Sequence, residues 1–153
     1  MPPEDAVDLA ALQTLLTSVV APWVTELNLR VLAATPGAVT LALPIAPRHV
    51  HGGGVLCGQT MMAAADTAMI LAIVSQTGAF RPMTTVQLQT SFLRPIPGKP
   101  AAKPAGAGDG PPAEARVIAR VLRLGKRLVF GEIEVLDPAG QLAAHATTTY
   151  ALL

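Results

Sequence analysis

The stretch GQTMMAAADTAMILAIVSQ, from Gly58 to Gln76, decides the fold. Small and apolar side chains occupy every side of a helix drawn through it, and Asp66 is its one formal charge. Gly78 follows it, and glycine is the residue that most often terminates a helix. A helix that is apolar on every face must be surrounded by protein. We therefore predict a helix over 58–76 that a sheet encloses or a second subunit covers.

Two segments before this helix are predicted to form a hairpin. Val24–Leu32 and Ala38–Leu43 have the composition of strands, and Thr35-Pro36-Gly37 between them is typical of a turn. Earlier still, apolar residues at helical spacing predict an amphipathic helix over Asp5–Val20, ended by Pro22. A loop over Pro44–Val55 leads into the central helix.

The segment after the helix is rich in predicted strands. Met83–Leu93 alternates, with Val86, Leu88 and Phe92 on one face and polar residues on the other. Three further strands form a predicted antiparallel meander: Glu114–Leu124, Arg127–Leu136 and Leu142–Ala151. The order of elements predicts an α+β fold in which a curled antiparallel sheet wraps around the central buried helix.

The length of 153 residues predicts one domain over 1–153, with its N-terminal helix in 1–20. Residues 99–112 are rich in Pro, Gly and Ala and are expected to form a flexible loop. The single cysteine, Cys57, excludes an intrachain disulfide. The acidic N-terminal segment does not resemble a signal peptide, so a cytoplasmic location is expected.

Charge and hydropathy restrict the function classes. A net charge of +1 argues against a nucleic-acid-binding surface, which needs a clear basic excess. The apolar core of the helix, Met61–Val74, is shorter than the roughly 20 residues that span a bilayer and carries a carboxylate. We therefore expect neither nucleic acid nor membrane as a partner.

Asp66 is the candidate catalytic residue. No other Asp, Glu, Lys or Arg lies between Arg48 and Arg81, and burying an unpaired carboxylate costs several kcal/mol. A structural interpretation is that Asp66 caps a neighbouring backbone or faces a wet cleft. The functional interpretation is a general base or nucleophile in a partly dry pocket.

Gly58 is the second candidate, because it lies at the predicted start of the helix. The first N–H groups of a helix have no partner within it, and glycine lets a ligand approach them closely. They could stabilise a carbonyl oxygen that develops negative charge. Gly58 and Asp66 are eight residues apart, or roughly 12 Å along one helix. If both act on one carbonyl group, they must come from two subunits.

Other chemistries fit the sequence less well. A nucleophilic Cys57 assisted by His51 has no evident orienting partner, so Cys57 is interpreted as a small packing residue. His49 and His51 lack further ligands at the spacing of a metal site, so no metal is expected. The run Gly52-Gly53-Gly54 is not a phosphate-binding loop, because no Gly-Lys-Ser or Gly-Lys-Thr follows it.

The chain from about Val24 to Leu153 resembles the hotdog-fold acyl-CoA thioesterases of the phenylacetate-degradation (PaaI-like) type. The resemblance rests on a combination of segments. They are His51-Gly52-Gly53-Gly54, the helix from Gly58 to Met69, Thr85–Leu88, Phe92-Leu93-Arg94-Pro95, and the C-terminal segments Arg123–Arg127, Glu132–Val135 and Asp137–Gly140. This resemblance implies hydrolysis of an acyl-CoA thioester by a homodimer, often assembled into a homotetramer, without a cofactor other than the coenzyme A of the substrate.

The resemblance also implies roles for particular residues. The family's helix carboxylate, which activates water or attacks the thioester carbon, falls on Asp66. The N–H group that polarises the thioester carbonyl falls on Gly58, and a hydroxyl that places the water falls on Thr84 or Thr85. Arg94, Arg123, Lys126 and Arg127 are candidates for the phosphates of coenzyme A, since phosphates need cations.

The chain departs from the family pattern before the helix. The slot that usually holds His-Gly-Gly is occupied by Cys57-Gly58-Gln59, and the visible His-Gly-Gly lies six residues earlier. His51 then coincides with a polar position near the thioester, where it would orient water or substrate; alternatively, the loop is simply longer.

Two other functions remain open from the sequence. One is a hotdog enoyl-CoA hydratase or dehydratase, which needs a histidine near the helix carboxylate to share proton transfers. The other is an acyl-CoA-binding protein that does not catalyse a reaction.

Overall fold

The computed structural model describes residues 7–98 and 112–153. The predicted loop over 99–112 therefore lies outside the described residues except for Pro112, as does the beginning of the helix predicted from Asp5. The helices are α1 (Leu9–Ser18), α2 (Pro22–Thr25), a 3₁₀ turn (Pro47–His49) and α3 (Gly58–Thr77). The strands are β1 (Arg30–Thr35), β2 (Ala38–Pro44), β3 (Met83–Phe92), β4 (Glu114–Leu124), β5 (Leu128–Leu136) and β6 (Leu142–Leu152).

The six strands form one antiparallel sheet in the order β1-β2-β4-β5-β6-β3. The predicted β1–β2 hairpin and the β4–β5–β6 meander are both present. Helix α3 packs mainly on β2, β4 and β5 and has much less contact with β3. The predicted α+β architecture, a curled antiparallel sheet around a central helix, is confirmed.

Helix α3 ends where its sequence predicts. Gly78 adopts a left-handed conformation with φ of 84°, and its N–H donates to the carbonyl of Val74. This conformation costs glycine little, so the chain leaves the helix at this point. By length and composition, this helix of 20 residues could cross a membrane. However, 61% of its 18-residue apolar stretch is buried inside the protein.

Two details of the predicted strands are wrong. The strand predicted over Val24–Leu32 begins only at Arg30, because Pro22 starts the short helix α2, as proline does well at a first helical position. Asn28, between α2 and β1, then has a φ of 54°, which asparagine tolerates better than most residues.

The second error concerns the alternation of β3. Its pairing with β6 shifts between Thr85 and Gln87, which is a β-bulge with one extra residue. Val86 is therefore 59% exposed and does not share the inner face with Leu88. Thr85 and Leu88 are half-buried instead.

One glycine allows α3 to lie close to the sheet. A Cβ atom on Gly131 of β5 would stand 2.2 Å from Met69 Cε on α3 and 2.8 Å from the Arg120 carbonyl oxygen of β4. The methionine side chain could move, but the backbone carbonyl could not do so without disturbing the β4–β5 ladder.

We expect Gly131→Ala to lower the free energy of unfolding by about 1–3 kcal/mol, the usual cost of overpacking a filled core. Chemical denaturation followed by circular dichroism measures this change. Gly52→Ala is the matched control, because a Cβ there meets no atom within 4 Å. Equal stability of the two variants would contradict this account of the helix–sheet contact.

Candidate active site

Asp66 lies in the middle of α3 on the side that the sheet covers least. It is half-buried, as are its helix neighbours Met62, Ala63 and Ile70. These residues recur at helical spacing and so form one strip, which we call the open strip, beside the inner face of β3. In this chain the predicted all-round burial of α3 is therefore incomplete along the open strip.

Two hydroxyl groups hold the Asp66 carboxylate. Thr85 Oγ1 donates to Asp66 Oδ1 over 2.7 Å, and the Tyr150 hydroxyl donates to the same oxygen over 2.5 Å. The Tyr150 hydroxyl also lies 2.7 Å from the backbone carbonyl oxygen of Asp66. No group in residues 7–98 and 112–153 hydrogen-bonds to the other carboxylate oxygen, Oδ2. Asp66 therefore presents one occupied oxygen and one that can serve a substrate or water.

The structure distinguishes the two threonines that the sequence left open. Successive residues of a strand point to opposite faces, and Thr85 points inward to Asp66 while Thr84 is exposed. Thr85 is thus the hydroxyl beside the carboxylate.

Tyr150 was not among the site residues predicted from the sequence. It is the single tyrosine of the chain, and only 1% of its surface is exposed. It lies on β6 opposite Thr85 of β3, although it is 84 residues away from Asp66 in sequence. The available signal was a polar side chain at a core-facing position of an alternating strand, because a buried phenol needs a hydrogen-bond acceptor.

The environment of Tyr150 raises the pKa of its phenol far above the usual value. Burial is the largest cause, followed by the negative charge of Asp66 and the hydrogen bond to it, while the contact with Thr85 opposes them. The phenol therefore stays protonated and acts as a donor. Because the folded-state pKa is raised, this group stabilises the fold below about pH 10, and its contribution is lost as the pH rises further.

Gly58 is the first residue of α3 and packs under the ring of Phe92, at the end of β3. A Cβ atom on Gly58 would stand 3.0 Å from the Phe92 ring, so packing alone disfavours a larger residue. The Phe92 ring is itself 49% exposed. The N–H groups of the first helical turn, which lack acceptors within the helix, thus lie at the far end of β3 from Thr85 and Asp66.

His51 does not reach Asp66 in the same chain. Its side chain is exposed, and Nδ1 accepts the Gly53 N–H over 2.9 Å within its own turn. In the described residues, no histidine hydrogen-bonds to Asp66. The proton-sharing pair that a hydratase or dehydratase needs is therefore not formed within one chain. Cys57 lies next to Thr60, with Sγ 3.0 Å from the hydroxyl oxygen.

The cationic candidates fall into two groups. Arg123, Lys126 and Arg127 are exposed around the β4–β5 turn, at the end of the sheet where Leu128 pairs with Ala151 and Ala151 pairs with Thr84. Arg94 is exposed just after β3, at the opposite end. On β6, Ala144 pairs with Phe92 at one end and Ala151 pairs with Thr84 and Leu128 at the other, so seven residues of strand, about 23 Å, separate the two ends. One chain therefore does not bring all four cations together.

No family model matches the chain. A protein of Thermoplasma acidophilum named "Putative esterase Ta0293" is 27% identical over 116 residues, which cover 74% of this chain and 75% of that protein. The phenylacetic acid degradation protein PaaI of Thermus thermophilus, solved as a mutant, is 25% identical with a TM-score of 0.69 and covers 87% of this chain and 100% of its own.

A third likeness concerns the fold. Zebra fish thioesterase superfamily member 2 has a TM-score of 0.78 at 20% identity, and the match covers 97% of this chain and 100% of that one. Together these similarities confirm the hotdog fold and the resemblance to thioesterases of the PaaI type.

The contact between Tyr150 and Asp66 can be tested in solution without a substrate. Tyrosinate ultraviolet absorbance reports Tyr150 alone, because the chain has one tyrosine. In the wild type we expect no ionisation near pH 10 and a signal that appears only with alkaline unfolding, followed by circular dichroism. Asp66→Asn removes the negative charge, so the folded variant should ionise at a lower pH than the wild type. An unchanged titration would contradict the contact.

Proposed function

We propose that this thioester hydrolase of the hotdog type hydrolyses an acyl-CoA to the free acid and coenzyme A, with Asp66 as its catalytic carboxylate. The likeness to proteins named putative esterases and to the PaaI protein supports thioester hydrolysis as the reaction. The observation that carries the role of Asp66 is its arrangement. A half-buried carboxylate in an apolar strip has one oxygen held by two hydroxyls and the other open to a ligand.

The proposed chemistry acts on the carbon and on the oxygen of the thioester carbonyl group. Asp66 either removes a proton from the water that attacks the thioester carbon or attacks that carbon to give an anhydride that water then cleaves. The carbonyl oxygen becomes negatively charged, and the Gly58 N–H at the start of α3 stabilises it. The carbon–sulfur bond breaks, the thiolate leaves and takes up a proton, and the acyl group leaves as the acid.

The Asp66 carboxylate and the Gly58 N–H that act on one thioester must come from two subunits. Asp66 contacts Thr85 near the start of β3, whereas Gly58 contacts Phe92 at its end. Strand β3 is an edge strand of the described sheet, and its ten residues, MTTVQLQTSF, contain neither charge nor proline. Such an edge favours pairing with another strand. We propose that β3 pairs antiparallel with its copy about a two-fold axis at Gln89, so that Gln89 faces Gln89 of the partner subunit.

This pairing would unite the site. With the axis at Gln89, Gln87 faces Ser91 of the partner subunit, so Phe92 of the partner subunit, and therefore Gly58 of the partner subunit, lies next to Thr85 and Asp66. The partner subunit would also cover the open strip of α3. Arg94 of the partner subunit would approach the end that carries Arg123, Lys126 and Arg127, so that cations from both subunits could hold the phosphates of coenzyme A. His51, in the loop that precedes α3, would come from the same subunit as this Gly58.

We expect Asp66→Asn to reduce thioester hydrolysis by at least about 100-fold, because amide nitrogen and oxygen neither accept the proton nor attack the carbon. A panel of acyl-CoAs with free-thiol release as readout measures the change. Arg116→Gln, an exposed change on β4, is the control and should leave the rate unaltered. Wild-type binding of acyl-CoA without thiol release would favour a non-catalytic binding protein, and full activity of Asp66→Asn would refute the role of Asp66.

The pairing of β3 predicts a specific cross-link. In a Cys57→Ser background, Gln89→Cys should form a disulfide-linked dimer on mild oxidation, since facing residues near the axis lie about 4.5–5.5 Å apart at Cα, within the range that disulfides span. Gln141→Cys, exposed after β5, is the matched control and should not cross-link. Light scattering gives the mass without oxidation. A monomer would refute the dimer, and a dimer without the Gln89→Cys cross-link would refute this register.

A further inference from the structure

The Tyr150 hydroxyl bridges two parts of Asp66. It lies 2.5 Å from the side-chain oxygen Oδ1 and 2.7 Å from the backbone carbonyl oxygen of the same residue. Thr85 donates to Oδ1 from the neighbouring strand. A carboxylate tied at one oxygen to its own backbone carbonyl through a buried phenol has little freedom to rotate. The bridge therefore holds the carboxylate in one orientation and leaves Oδ2 without a hydrogen bond from the described residues.

The sheet explains why this phenol can be rigid. Tyr150 pairs with Val129 of β5 on one side and with Thr85 of β3 on the other, so both neighbouring strands hold its backbone. Its side chain is almost completely buried and can adopt few alternatives. A tyrosine anchored in this way loses little conformational entropy when it donates to Asp66, because that loss accompanied folding.

A direct chemical role for Tyr150 fits less well. The hydroxyl is buried behind Asp66, and its proton is already shared with two oxygens of that residue. A phenol that remains protonated over the whole working range of pH is a poor proton donor in turnover. Its chemistry instead suits a permanent hydrogen-bond donor.

We propose that Tyr150 is a positioning residue, which together with Thr85 occupies Oδ1 of Asp66 and thereby makes Oδ2 the reacting oxygen. This inference rests on the proposed role of Asp66 in thioester hydrolysis. It assigns different tasks to the two oxygens of one carboxylate. The carboxylate is then already oriented before the substrate binds, and orientation of this kind accounts for a large part of enzymatic rate enhancement.

Tyr150→Phe tests the inference, because it removes the hydroxyl and keeps the ring. We expect kcat to fall by roughly 10- to 100-fold with KM within about twofold of the wild type, since the substrate does not contact Tyr150. Thr85→Val should also lower kcat, and the double variant should lose less than the product of the single effects, because both hydroxyls act through one oxygen. Circular dichroism establishes that each variant is folded.

Thr67→Val is the matched control. Thr67 is a buried hydroxyl on α3, next to Asp66 in sequence, but it donates to the Ala63 carbonyl oxygen of its own helix. Its kcat should stay close to that of the wild type. A comparable fall in kcat for Thr67→Val and Tyr150→Phe would reveal a general packing effect and overturn the inference.

If Tyr150→Phe does not fold, a second measurement on the wild-type sequence tests the same inference. Because the chain has one tyrosine, fluorotyrosine can replace tyrosine throughout and alter position 150 alone. The fluorinated phenol is more acidic and donates more strongly to Oδ1, which withdraws charge from the carboxylate and makes Oδ2 a weaker base and nucleophile. We therefore expect kcat to fall severalfold while KM stays constant. An unchanged kcat would overturn the inference.

The outcomes separate this inference from the proposed function. Full kcat in Tyr150→Phe beside an inactive Asp66→Asn overturns the positioning role and leaves the function intact. A wild type that releases no thiol from any acyl-CoA overturns the function and the positioning role together. A loss of kcat in Tyr150→Phe with unchanged KM, beside an active Thr67→Val, supports both.

Discussion

The burial of helix α3 is the constraint on which the other features of the molecule depend. Five large apolar side chains of this helix are buried, and each contributes about 1.5–3 kcal/mol on transfer from water: Met61, Met69, Leu71, Ile73 and Val74. Three strands, β2, β4 and β5, cover most of the helix. The small residues along α3 and Gly131 on β5 allow the helix to approach the sheet closely.

The same constraint explains where the candidate site lies. A sheet of six strands curls around most of α3 but leaves the strip with Met62, Asp66 and Ile70 half-exposed. A carboxylate is tolerable there because Thr85 and Tyr150 replace part of its hydration and Oδ2 remains accessible. An apolar strip with one oriented carboxylate is suited to an apolar acyl group joined to a reactive carbonyl. The proposed β3 pairing would complete both the burial of the helix and the site.

The fold and the site also share their polar contacts. The β-bulge at Thr85 and Gln87 turns Thr85 inward, and Thr148 of β6 donates to the Gln87 carbonyl oxygen at this irregularity. The neighbouring Tyr150 connects β6 to α3 through Asp66. Asp66 is therefore the acceptor through which the middle of the helix is joined to β3 and β6, two strands that it otherwise contacts little. A structural and a catalytic interpretation of this residue are compatible, since both need a carboxylate held in one orientation.

Much of the fold and the centre of the site could be predicted from sequence, because the deciding patterns are local. The apolar periodicity of 58–76, the end at Gly78, the β1–β2 turn and the β4–β5–β6 meander each depend on neighbouring residues. Asp66 stands out as an isolated charge, and its separation from Gly58 follows from helical rise alone. The tertiary structure decided what depends on register between distant segments. It selected Thr85 over Thr84 through a bulge, separated Arg94 from the other cations, and brought Tyr150 to Asp66 across 84 residues. Strand pairing sets such contacts, and pairing is a property of the whole sheet that no single segment encodes.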